Sequence, residues 1–242
     1  MVIYLNSKKK EKSLLVFKKK ESGRNFQGKI TTFHKGGGNK KLYRIIDFKR
    51  NKLDHIGRVI KIHYDPNRNC KIALVLYLDQ EKRYILCPLN LEVGSLVSSG
   101  FKVPIKIGNA MPLNIIPNGI KIHNVEMRPL QGGKLVKSAG CFTLIIARFQ
   151  NYVTIRLPSK EIKLINHNCF ATIGQLSNQE YFLKDLKKAG ANRWKGIRPT
   201  VRGSAMNAVD HPHGGGKGKA GIGRIRPCTP WGKAALGVKT KK

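Results

Sequence analysis

The sequence predicts a mainly β protein: two small antiparallel barrels in the middle of the chain, a short helix after them, and a basic extension at each end. Three observations lead there. Runs rich in β-branched and aromatic residues recur at 43–48, 56–64, 71–78, 83–87, 121–125, 142–147, 152–157, 162–165 and 169–173. Turn signals separate them at Asp65-Pro66-Asn67, Gly94, Gly100, Gly108-Asn109, Pro117-Asn118-Gly119, Gly132-Gly133 and Pro158-Ser159, a spacing that suits hairpins rather than strand–helix–strand crossovers. The charge is uneven: residues 1–50 carry 15 basic and 3 acidic side chains, 51–186 carry 18 and 9, and 187–242 carry 14 and 1. A near-ordinary core with two basic ends follows.

Taken in order, 1–40 is a basic N-terminal extension, 41–108 the first barrel and 109–176 the second. Their boundary falls in the strand-poor, proline- and glycine-punctuated stretch 101–118. A helix is expected over 177–190. Ser177 and Glu180 have capping-box spacing, Tyr181, Phe182, Leu183 and Leu186 form an apolar stripe, Lys187 and Lys188 suit the negative helix end, and Gly190 is the stop. The tail, 191–242, lies in a stretch from 187 onward that holds 11 glycines and only two aromatic residues, Trp194 and Trp231. So little apolar surface does not offset the entropy of ordering the backbone, so the tail is expected to become ordered on a partner.

With 47 Lys and Arg against 13 Asp and Glu in 242 residues, the net charge of +34 calls for a polyanion, and nucleic acid is the first candidate. No apolar run approaches the roughly 20 residues that span a bilayer, and the first residues show no signal-peptide pattern, so no membrane partner is expected. Cys70, Cys87, Cys141, Cys169 and Cys228 are odd in number, scattered and never in a CxxC pair, which reads as reduced thiols.

The glycine triplets at 36–38 and 214–216 invite comparison with phosphate loops. The register fails, because His213 stands where a Walker loop needs its first glycine and Ala220 follows Lys219. Glycines that let the backbone approach a phosphate or base, with Lys217 and Lys219 between them, fit the charge better. Asp210-His211-Pro212-His213, with Ser204 nearby, is the densest titratable cluster. A hydrolase triad there lacks a rigid shell, and a metal shared by His211 and His213 lacks a fourth ligand beyond Cys228, so no catalytic and no metal residue is assigned. The stretch 193–203 (RWKGIRPTVRG) interleaves cations with Trp194, the mixture that pairs phosphates and stacks on an unpaired base.

Several blocks resemble, in order, the universal large-subunit ribosomal protein L-two family. They are Gly28-Lys29-Ile30-Thr31-Thr32-Phe33-His34-Lys35-Gly36-Gly37-Gly38, Tyr43-Arg44-Ile45-Ile46-Asp47-Phe48-Lys49-Arg50, Tyr64-Asp65-Pro66-Asn67-Arg68, Ile72-Ala73-Leu74-Val75-Leu76-Tyr77 and His123-Asn124-Val125-Glu126-Met127. Later blocks are 133–140, 193–203, Ala205-Met206-Asn207, Val209-Asp210-His211-Pro212-His213-Gly214-Gly215-Gly216 and Thr229-Pro230-Trp231-Gly232. The resemblance implies an OB-fold barrel followed by an SH3-like barrel, both on large-subunit ribosomal RNA, with extensions threading that RNA. It also implies other ribosomal proteins and, across the intersubunit face, the small subunit as partners. The family's role is structural: subunit association, transfer-RNA binding and assembly of the peptidyl-transferase region. An enzyme is not expected.

Carried onto this chain, the expected RNA contacts are Arg24, Lys29, His34, Lys35, Lys40, Arg44, Lys49, Arg50, Arg68, Arg193, Trp194, Lys195, Arg198, Arg202, Asn207, His211, His213, Lys217, Lys219, Arg224 and Trp231. No cofactor is expected beyond magnesium brought by RNA. The leader before Ser22 and the end at Lys241-Lys242 are shorter than in bacterial members, so some peripheral RNA contacts are expected to be missing. The stretches 220–224 and 235–237 are similar to plastid and cyanobacterial members, and Lys, Asn and Ile are used heavily. An organelle ribosome is therefore favoured, a plastid one first, with mitochondrion or bacterial cytoplasm as alternatives. A free-standing RNA-binding regulator and a hydrolase using the His211 cluster are the competing readings.

Overall fold

The computed structural model describes residues 11–236. The chain divides into two compact units, one of residues 1–19 and 40–185, the other of residues 20–39 and 186–242.

The first unit is mainly β. Strand β1 (Leu15–Phe17) pairs antiparallel with β2 (Leu42–Arg44). Next come β3 (Gly57–His63), β4 (Ile72–Tyr77), β5 (Lys82–Leu86) and β6 (Leu96–Val97), arranged β5-β4-β3-β6. The unbroken apolar run of β4 reflects burial on both faces. Ala73, Val75 and Tyr77 pack with Val59, Ile85 and Val97, while Ile72 and Leu74 pack with Ile46, Tyr84, Leu86 and Leu176.

The second half adds β7 (Ala110–Pro112), β8 (Lys121–His123), β9 (Val125–Glu126) and β10 (Gly133–Leu135). It continues with β11 (Thr143–Phe149), β12 (Tyr152–Arg156), β13 (Ile162–Asn166) and β14 (Phe170–Ile173). Six of these form one antiparallel sheet, β13-β12-β11-β8-β14-β7, while β9 and β10 form a two-stranded ribbon. The inward-facing residues of β11 and β12, Ile145, Val153 and Ile155, alternate with exposed ones and meet Met111, Ile122, Ala171 and Ile173 in one core. These two sheet systems fit the OB-fold barrel and the SH3-like barrel that the family resemblance implies.

Several elements depart from the sequence reading. β1 lies inside what reads as a basic extension, because Leu15-Val16-Phe17 is flanked by lysines that hide its alternation. β7 sits in the strand-poor boundary stretch and carries Pro112, which the sheet accepts because β7 is an edge strand. The run at 43–48 breaks after Arg44, with Ile46 making only a single bridge to Tyr84.

The helix expected over 177–190 does not form. Ser177 is buried, its hydroxyl accepts the amide of Lys71, and its backbone bonds Cys87 and Gly140, so it has no hydroxyl left for a cap. Asn178 then turns left-handed at φ 62° and only a 3₁₀ turn, Gln179–Leu183, follows, with Phe182 and Leu183 exposed. The α-helix, α1, is Ala189–Trp194 in the other unit; Gly190 lies inside it, and Gly196 at φ 89° is the stop.

Charged groups drawn into the first unit are paired. Asp65, fully buried, accepts Arg68 Nε at 2.7 Å and has Arg44 Nη1 at 3.6 Å. Glu126, 2% exposed, accepts the amides of Gly132, Phe170 and Leu130 at 2.7, 3.0 and 3.2 Å. No cysteine among the described residues is in a disulfide, and burial pushes the thiols of Cys70 and Cys169 up to about 11 and that of Cys87 to about 12, so all three stay protonated.

His123 is completely buried; its Nδ1 donates to Gly174 O at 2.7 Å while Nε2 has no partner. Burial holds its pKa down at about 4. Between that value and the ordinary one near 6.5, the unfolded chain binds a proton that the folded chain refuses. The contribution is therefore complete above about pH 6.5 and is lost as pH falls towards 4, at about 1.4 kcal/mol per unit. Urea unfolding at pH 7 and pH 4.5 should show wild type losing roughly 2–3 kcal/mol more than His123→Asn over that interval. Equal losses in the two proteins would contradict this.

Candidate nucleic-acid interface

The second unit has no hydrophobic core: among its described residues His211 alone is buried. Backbone hydrogen bonds hold it instead. Residues 34–39 run antiparallel to 194–198, with Arg198 N–H donating to His34 O at 2.9 Å, Gly36 N–H to Gly196 O at 3.0 Å and Asn39 N–H to Trp194 O at 3.0 Å. Gly38, at φ 72°, makes that approach feasible, since a Cβ there would sit 2.7 Å from Gly196 N. Lys20 Nζ donates to the carbonyls of Gly38 and Gly37 at 2.8 and 3.3 Å. The glycine triplet therefore serves a close approach of the chain to itself, where the sequence suggested approach to a phosphate.

This frame presents the cation-rich stretch. α1 ends at Trp194 because Lys195 and Gly196 return their amides to Ala191 and Arg193, and Arg193, Trp194, Lys195, Arg198 and Arg202 are all exposed. Trp194 is 54% exposed, with Lys188 Nζ 4.9 Å from its ring centroid. Trp231, 68% exposed, leans on Phe33 with centroids 5.6 Å apart. An indole exposed beside cations offers a base a stacking surface while neighbouring side chains neutralise its phosphates.

His211 anchors the loop that follows. Its amide donates to Asn207 O at 3.3 Å, its carbonyl accepts Gly214 N–H at 2.8 Å, and its Nδ1 accepts the His213 amide at 3.0 Å. Gly203 lies against the ring, so closely that an added Cβ would stand 2.5 Å from Cε1 and Nδ1. His213 Nε2 in turn accepts the Cys228 amide at 2.9 Å, and the two imidazoles sit 4.7 Å apart. One nitrogen of each ring is thus committed to a backbone N–H. With Nδ1 an acceptor, no carboxylate can orient His211 as a general base through that atom. Among the described residues no three His, Cys, Asp or Glu come together to hold a metal.

The other expected contacts divide. Arg24, Lys29, Lys35, Lys40, Lys49, Asn207, Lys217, Lys219 and Arg224 are exposed, and His34 and His213 are half-buried. Arg44 and Arg50 differ from these: both are buried, Arg44 beside Asp65, Arg50 with its guanidinium donating to Gly108 O at 3.1 Å and Ser98 O at 3.3 Å. Arg68 is likewise committed to Asp65 and lies over the rings of Phe48 and Tyr43, 5.5 and 5.8 Å from their centroids. These arginines hold the first barrel together. Sequence reasoning did not assign Lys20, Lys188, Phe33 or Gly203; of these only Phe33 and Gly203 lay inside recognised blocks.

A basic two-barrel β protein whose exposed cations and aromatic rings are carried on a coreless glycine-rich unit is an RNA-binding protein by class. The description "Ribosomal Proteins L2, RNA binding N-terminal domain" matches residues 11–99, and "Ribosomal Proteins L2, C-terminal domain" matches 106–232. The chain belongs to the Ribosomal Proteins L2 family and is a large-subunit ribosomal protein that binds RNA.

Gly38→Ala forces a left-handed alanine against Gly196 and should cost about 1–3 kcal/mol of local order. Since the same pairing presents Arg193, Trp194 and Arg198, affinity for large-subunit RNA should fall about 10- to 100-fold. Unchanged binding would show that the pairing does not shape the interface.

Proposed function

We propose that the protein is a scaffold of the large subunit: its first unit folds on its own core, and its second unit is held by ribosomal RNA. There it supports subunit association, transfer-RNA binding and assembly of the peptidyl-transferase region, facing the small subunit, without performing chemistry. The observation that carries this is the row Arg193, Trp194, Lys195, Arg198 and Arg202, all exposed on a unit whose only buried described residue is His211. The same committed ring argues for His211 as a positioning residue. Lys40 and Lys49 are exposed on the first unit and add cations there. Magnesium at this surface would arrive bound to RNA phosphates. The residues at 220–224 and 235–237 support an ribosome of an organelle, a plastid before a mitochondrion, with a bacterial cytoplasmic ribosome as the alternative.

The chain should sediment with large subunits and leave that fraction after ribonuclease; persistence in light fractions bound to messages would favour a regulator. Binding to large-subunit RNA should weaken steeply with salt, because each phosphate neutralised releases counterion. Trp194→Ala should lose about 1–3 kcal/mol of binding if a base stacks on the indole. Normal binding by that variant would reduce Trp194 to packing. A general base contributes about 10²- to 10⁴-fold to a chemical step. Fully assembled subunits carrying His211→Ala should therefore keep their peptide-bond rate, with any defect appearing as incomplete assembly. A hundredfold loss in complete subunits would make His211 catalytic.

A further inference from the structure

The β-sheet of the second barrel ends at β13, which pairs only with β12 among the described residues. Its register determines what the open edge offers. Leu157 N–H donates to Glu161 O and His167 N–H to Asn151 O, so the residues of β13 that bond β12 are the odd-numbered ones. Ile162 and Leu164 therefore direct their amides and carbonyls away from the sheet. Their side chains, 63% and 64% exposed, lie on the outward face. On that face Leu164 is opposite Thr154, and Phe149 and Tyr152, 63% and 53% exposed, face each other across β11 and β12.

An open strand edge beside an apolar face is ordinarily blunted or covered. Of the charged residues nearby, Arg156, Lys160 and Lys163 are basic and Glu161 alone is acidic, which leaves the rim net positive. A second copy of a chain with net charge +34 would bring like charge to that rim. RNA phosphates would accept from the amides but leave the carbonyls of the edge unmatched. An added polypeptide strand matches both kinds of backbone group and covers the aliphatic pair.

We propose that the outer edge of β13 receives an extended segment of a neighbouring protein of the large subunit, apolar at the positions facing Ile162 and Leu164 and carrying Asp or Glu towards the basic rim. This rests on the chain being a ribosomal component. It assigns one protein contact to an edge and a face of the first unit.

The test uses the full chain in assembled large subunits. Benzoylphenylalanine replaces Leu164 in one variant and Tyr152 in another, both exposed positions, and incorporation is scored by sedimentation before irradiation. The expected product is a covalent adduct of each variant with one and the same ribosomal polypeptide, mapped to a segment with alternating apolar and acidic residues. Amide exchange at Ile162 and Leu164 should also slow on the order of tenfold or more between free chain and subunit. An adduct with RNA, an adduct with a second copy, or no adduct with unchanged exchange overturns the proposal while leaving the ribosomal reading intact. A chain that never enters large subunits overturns both.

Discussion

The excess of positive charge is the constraint on which the rest of the structure depends. The first unit holds 29 basic and 11 acidic side chains and has enough apolar sequence to build two sheets around cores. Its arginines that enter those cores do so beside Asp65 or backbone carbonyls. Removing one such partner leaves a buried charge unmatched, a loss of about 3–5 kcal/mol. The second unit holds 18 basic and 2 acidic side chains and buries no apolar one among its described residues. Self-repulsion there has no internal counterweight, which leaves the phosphates of RNA as the natural one.

What replaces a core in that unit is backbone geometry. Glycines at 38 and 203 remove the Cβ atoms that would keep Gly196 and the His211 ring at a distance, and amides then close the gaps. The result is a frame without an apolar core whose Arg193, Lys195, Arg198 and Arg202 side chains are exposed. His211 belongs to that frame: its Nδ1 accepts the His213 amide and its ring packs against Gly203.

The strands were legible where burial writes itself into sequence. β4 reads as a continuous apolar run because both its faces are covered, and β12 alternates because one face is solvated. β7 was not legible, since Ala110-Met111-Pro112 neither alternates nor looks like a strand without its partner β14. The helix failed for a related reason: Ser177 has capping chemistry, but Lys71, distant in sequence, claims its hydroxyl. In the interface, charge alone made Arg44 and Arg193 look alike. Which of them faces Asp65 and which faces solvent is set by the fold of the first barrel, and local sequence carries no record of it.

The division of labour between a self-sufficient barrel unit and a unit ordered by RNA is tested most directly by trypsin acting on the full chain, free and bound to large-subunit RNA. In the free chain, cleavage after Lys195, Arg202 and Lys217 should precede cleavage after Lys61 in β3 and Lys163 in β13, and RNA should abolish the early cuts. A free chain whose tail sites resist as long as the strand sites would contradict the account.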